Sequence, residues 1–135
     1  MTTEEIKTKL EIALRRLHDS QPDLFAFTPD TNQTEWNLTH HLASEIHRAF
    51  PDHHCDVDVA KPNFHNRRPD IIVHWRGTHE SNLLVIELKR AQKDAPEEIE
   101  KIKNFWFQSP LNYQYGAVIV VNDENSKVVV IQNED

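Results

Sequence analysis

Apolar residues recur at helical spacing over residues 3 to 18, where Ile6, Leu10, Ala13, Leu14 and Leu17 alternate with charged positions. This pattern predicts an amphipathic helix that packs by one face. Ser20-Gln-Pro-Asp and then Thr28-Pro-Asp-Thr-Asn break the period with turn residues, and Leu24, Phe25 and Phe27 are expected to tuck inward. A second helix is predicted from Thr31 or Thr34, either of which would cap it, to about Phe50, where Pro51-Asp52 stops it. Strand patterns follow at residues 55–60, 70–75 and 83–88, with the seven residues 76–82 as a hairpin loop between the last two. A third helix is predicted over residues 95–107, with Asp94 as N-cap, Glu97 three positions on and Pro96 in the first turn. Two apolar runs, 115–121 and 127–132, complete the order α-α-β-β-β-α-β-β. This is an α/β chain of the α+β kind, a mixed sheet with helices packed against it.

At 135 residues the chain is expected to form one domain, 1–135, with residues 1–20 as an additional N-terminal helix. Two glycines, seven prolines, 38% hydrophobic and 27% charged residues fit a globular protein and exclude a fibrous or disordered one. The longest apolar runs, 82–87 and 116–121, fall far short of the roughly 20 residues that span a bilayer, so no membrane partner is expected. Met1-Thr-Thr-Glu-Glu-Ile-Lys has neither a basic n-region nor an apolar h-region, which points to a cytoplasmic location. The single cysteine agrees: Cys55 cannot close an intrachain disulfide and suits a small packed side chain at the head of a strand. A net charge of −7 disfavours indiscriminate nucleic-acid binding. The ends, with Glu4, Glu5, Asp123, Glu124, Glu134 and Asp135, are acidic, however, while Lys61, Arg67, Arg68, Lys89, Arg90, Lys93, Lys101 and Lys103 lie in the middle and leave room for a local basic face.

Antiparallel pairing of the two central strands would bring Asp70, at the start of one, beside Glu87-Leu-Lys89 at the end of the next. Glu87 and Lys89 are two residues apart on a strand and share a face. Carboxylates bordering apolar strands cost several kcal/mol unless compensated, and a divalent cation is the simplest compensation. Mg²⁺ takes one or two protein carboxylates and keeps several waters, which suits attack at phosphorus. On the second helix, Leu38, Leu42, Ile46 and Ala49 lie within about 60° of the direction of Glu35, so this acid falls inside the apolar arc. The positive end of the helix dipole would favour it there. Glu45 lies at the edge of the arc and reads as solvated. His40 and His41 point about 100° apart on a helix and are poorly set to share a zinc ion. His65, Arg67 and Arg68 precede the Asp70 strand, where they would steer a phosphate backbone toward the metal or lie in a solvated loop. Trp36, Trp75 and Phe105-Trp-Phe107 are expected in the core or at an oligomer interface in preference to stacking on bases.

Glu35 in a helix, Pro69-Asp70 at a strand start and Glu87-Leu88-Lys89 at a strand end resemble the PD-(D/E)XK signature of the restriction-endonuclease-like superfamily, over about residues 31–121. Glu35-Trp-Asn-Leu-Thr-His-His-Leu-Ala43, Arg68-Pro-Asp-Ile-Ile-Val-His74 and Asn82-Leu-Leu-Val-Ile-Glu-Leu-Lys89 resemble small bacterial proteins of that superfamily. The resemblance implies that Asp70, Glu87 and the backbone carbonyl of Leu88 ligate Mg²⁺, with Mn²⁺ as its substitute. It implies that Lys89 positions or deprotonates the attacking water, and that Glu35 holds the metal's water shell or a second ion. Some nuclease branches carry a Gln-x-x-x-Tyr pattern on the next helix; this chain has Lys101 and Lys103 there, as candidates for phosphate contact or solvated residues. The expected function is a Mg²⁺-dependent phosphodiesterase, endo- or exonuclease, with DNA the favoured partner. A homodimer is attractive because cutting both strands of a duplex needs two sites. The alternative is a catalytically inactive nuclease-fold protein that binds nucleic acid or a protein partner.

Overall fold

The computed structural model describes residues 1–26, 33–57, 69–89, 92–121 and 126–134, with backbone alone for 26, 33–36 and 92. Helix α1, Thr3–Ser20, starts where the Thr2 side chain accepts the Glu5 N–H, and it buries Ile6, Leu10, Ala13, Leu14 and Leu17 as their spacing dictates. One helical turn, α2 (Asp23–Ala26), occupies part of the stretch read as turns. It buries Leu24 and Phe25; Phe27 lies outside the described residues. Helix α3, Gln33–Ala49, turns Leu38, Leu42 and Ile46 inward and packs on α1. The Lys9 ammonium donates to the Ala49 carbonyl at 3.1 Å, satisfying one of the acceptors left open at the end of α3.

Five strands, β1 (His54–Val57), β2 (Ile71–His74), β3 (Leu84–Lys89), β4 (Tyr115–Val120) and β5 (Lys127–Gln132), form one sheet in sequence order. All pairs are antiparallel except β3 with β4. That parallel step needs a crossover, and the chain supplies one in α4, Ala95–Lys101, which continues as a turn of π-helix, Ile102–Trp106. Alternation divides the sheet residues between two layers. Ile71, Val73, Leu84, Ile86, Ala117 and Ile119 face α1 and α3, while Ile72, Val85, Val118 and Val120 face Ala95, Ile102 and Trp106. Covered on both sides, β2 and β4 are buried along their whole lengths, which is why they read as unbroken apolar runs.

The mixed α+β architecture follows the expected order, with α2 added. Asp94 does not cap α4: its backbone is already helical (φ −86°, ψ −11°), and its side chain makes no capping bond. A 3₁₀ turn, Gln92–Asp94, leads into the helix and replaces the extended N-cap geometry that a capping side chain needs. The first strand ends within the described residues at Val57, and 58–60 lie outside them. Cys55 is packed as expected, its thiol donating to the Ala43 carbonyl at 3.4 Å. Burial, and then the charge of Asp56, pushes that thiol up to about 12, which makes it a poor nucleophile. Trp106 and Phe107 join the core, but Trp75 is 42% exposed, stacked on His53 with its indole N–H on the Asp52 carbonyl. Among the described residues no helix is long and apolar enough to cross a membrane.

Gly116 sets the distance between β4 and the crossover. A Cβ at this position would lie 2.5 Å from Ile102 Cγ2, a branch fixed close to the helix backbone. Gly116→Ala is expected to destabilise the fold by about 1–3 kcal/mol through overpacking, read from chemical denaturation. An unchanged unfolding midpoint would mean that Ile102 retreats without cost.

Candidate active site

The β2 to β3 register pairs Ile71 with Ile86, and one further step sets Asp70 opposite Glu87. Asp70 lies two residues before Ile72 and Glu87 two after Val85, so both acids fall on the α4 face of the sheet. Pro69 is buried, and the chain enters β2 with the Asp70 side chain turned back across the ladder. There Asp70 Oδ2 accepts the Leu88 N–H at 2.7 Å, so a carboxylate replaces the next backbone rung. The N–H and C=O of one strand residue point to the same side, which directs the Leu88 carbonyl toward Asp70 as well.

The two carboxyls are hydrogen-bonded to each other. Burial drives the Glu87 carboxyl up to about 9, helped by the charges of Asp70 and Glu98. Burial also raises Asp70, against the opposing pull of the Leu88 N–H, the Glu87 hydrogen bond and the Lys89 charge. Without a cation the pair therefore keeps one proton between its two carboxyls.

Lys89, at the end of β3, makes an ion pair of 3.0 Å with Glu98 Oε1. Burial pulls its ammonium downward, but the hydrogen bond and charge of Glu98, with the charges of Glu87 and Asp70, outweigh that and raise it. Lys89 stays an ammonium in this setting, suited to positioning and charge stabilisation and not to taking a proton from water. Lys101 Nζ lies 3.1 Å from the same Glu98 oxygen.

Sequence reasoning missed Glu98, although the signal that selected Glu35 was present. Glu98 stands three residues after the buried Ala95 and four before the buried Ile102, inside the apolar stripe of α4. The Lys103 side chain is 53% exposed and lies 3.9 Å from Glu100 on its own helix. Glu35 belongs to the first turn of α3, but its side chain lies outside the described residues, as do Arg67, Arg68 and His65. The described part of α3 packs on the sheet face opposite Glu87. Glu45 is a correction. It is covered and not solvated, with its side chain only 13% exposed, Oε1 3.7 Å from Arg48 and Oε2 buried without a hydrogen-bond partner among the described residues. Asp56, on β1, is engaged by His74 at 2.7 Å and by the Arg76 guanidinium; the Arg76 hydrogen bond above all holds its carboxyl down at about 2. His41 meets Gln21 at 3.2 Å.

Asp70, Glu87 and the Leu88 carbonyl would offer a cation oxygen donors alone, the kind Mg²⁺ takes. Among the described residues no three His, Cys, Asp or Glu side chains are grouped to hold a metal ion, so a cation here would complete its shell with carbonyl oxygen and water. No family model, curated protein or solved structure compared with this chain matches it.

Proposed function

We propose that the protein is a Mg²⁺-dependent phosphodiesterase acting on DNA, with a restriction-endonuclease-like core of the PD-(D/E)XK type. The observation that supports this reading is the pair of mutually hydrogen-bonded carboxyls, Asp70 and Glu87, with the Lys89 ammonium on the same face of the sheet. Two carboxyls buried in contact are unfavourable unless a proton or a cation neutralises them, and a catalytic cation gives that arrangement a purpose. Asp70, Glu87 and the Leu88 carbonyl would hold Mg²⁺, which when bound supplies charge neutralisation at phosphorus and an activated water. The Leu88 N–H fixes the Asp70 carboxylate in its orientation. Lys89 remains cationic and would contact the attacking water or a nonbridging phosphate oxygen. Glu35 is assigned to the water shell, and Arg67, Arg68, Lys101 and Lys103 to backbone contacts with the substrate. A cytoplasmic location belongs to the same reading.

Calorimetric titration of Mn²⁺ and Mg²⁺ into the wild type and an Asp70→Ala/Glu87→Ala double variant tests the site without a choice of substrate. Saturable binding is expected in the wild type and none in the double variant; binding indifferent to the substitutions would overturn the assignment. The net charge of −7 favours a second reading, a nuclease-fold protein that binds nucleic acid or a protein partner without cutting. Its binding would survive in the double variant.

A further inference from the structure

We propose that Glu98 is a positioning residue that holds Lys89 and Lys101 together as a two-ammonium seat for a phosphate group beside the Asp70 and Glu87 carboxyls. The two lysines come from different elements, the end of β3 and the last turn of α4, and one carboxylate oxygen joins them. Nitrogens 3.0 and 3.1 Å from the same oxygen lie at most about 6 Å from each other, close enough for both to donate to oxygens of a single phosphate.

Burial gives the cluster a direction. The Glu98 side chain is 6% exposed, while those of Lys89 and Lys101 are 34% and 42% exposed. The carboxylate thus lies beneath and the ammonium groups above, facing solvent. Each ammonium has three donors, and the contact with Glu98 occupies one of them. Lys101 is also 4.0 Å from Glu97, beyond hydrogen-bond reach, so among the described residues its outward donors stay available to an anion. A buried carboxylate with two lysines contributes little net stability, since desolvation offsets most of the attraction, but it removes the rotamer freedom that two long side chains would otherwise lose on binding. Lys89 follows Glu87 by two residues on the same face of β3 and pairs with Glu98, which sets the seat beside the proposed cation site; the charge of Glu98 accordingly raises both Asp70 and Glu87. The identification of the phosphate as part of a substrate rests on the nuclease reading; the geometry of the seat does not.

Inorganic phosphate is the probe, followed through the side-chain amine signals of Lys89 and Lys101 in proton–nitrogen spectra, with Mn²⁺ calorimetry run in parallel. In the wild type both lysines are expected to shift along one saturation curve. Lys101→Met should weaken phosphate binding about tenfold as seen at Lys89. Glu98→Asp keeps the charge but withdraws the carboxylate by one methylene, and should weaken binding by a similar factor. Glu98→Gln keeps an acceptor oxygen in reach and should bind at least as tightly as the wild type. Backbone amide spectra establish that each variant is folded, and Lys101→Met, at a half-exposed position, serves if the Glu98 variants do not fold. Separate curves for the two lysines, or Glu98→Asp or Lys101→Met titrating like the wild type, would overturn the proposal. Phosphate seated at the lysines without Mn²⁺ uptake would support the seat and sink the nuclease reading; Mn²⁺ uptake without phosphate binding would do the reverse.

Discussion

Glu87→Ala is expected to lower Mg²⁺- or Mn²⁺-dependent cleavage of DNA by at least about 1000-fold while the fold survives. Glu87 is one of two carboxylates in the proposed donor set, and its loss removes both a ligand and the charge that sets cation affinity. Charge stabilisation by a catalytic metal contributes several kcal/mol to the barrier, and each 1.36 kcal/mol is a factor of ten in rate. The fold should tolerate the change because Glu87 sits at the half-buried end of β3, after the fully buried Leu84, Val85 and Ile86 that anchor the strand. The alanine side chain also removes a buried carboxyl that must hold a proton when no cation is bound. Single-strand and duplex oligonucleotides, assayed with either metal, read the rate, and circular dichroism reads the fold. Cleavage by the variant at the wild-type rate would exclude Glu87 from the reaction.

Asp70, Glu87 and Lys89 were legible because strand geometry is a short-range rule: a period of two and an antiparallel register suffice to set three residues on one face. Helix α1 was legible for the same reason, since five apolar residues at helical spacing define its buried stripe. Glu98 was not, because its partners lie on another element and become neighbours only when α4 crosses over the sheet. Its place in the apolar stripe was visible, and a charged residue in such a stripe asks for a partner. Asp94 misled because capping preference is local, and the 3₁₀ turn Gln92–Asp94 leaves its backbone already helical at the start of α4. Trp75, expected in the core or at an oligomer interface, stays out of the core, because aromatic burial is a statistical tendency. At the hairpin end this indole covers His53 and reaches the Asp52 carbonyl in place of entering the core.

The carboxyl pair that makes the candidate site also makes the metal-free protein sensitive to pH, and Glu87→Gln is expected to remove most of that sensitivity. Glu87 titrates near the ordinary 4.5 when unfolded and at about 9 when folded, so the folded state holds the extra proton between those values. A raised folded pKa contributes stability that is fully present below the unfolded value and is lost as pH rises through the folded one. One proton limits the slope to about 1.4 kcal/mol per pH unit, with stability falling from roughly pH 5 toward pH 9. Glutamine keeps a donor for the Asp70 carboxylate and cannot ionise. Unfolding in urea at pH 5, 7 and 9 should therefore show the wild type weakening and the variant nearly level, with the variant the more stable at pH 9. Mn²⁺ should restore the wild type at pH 9 by taking the place of the proton, and leave the variant little changed. Parallel pH profiles for the two proteins would mean that Glu87 is ionised in the fold without a cation. A variant both more stable and unable to bind metal would instead identify the pair as a functional strain that the rest of the sheet sustains.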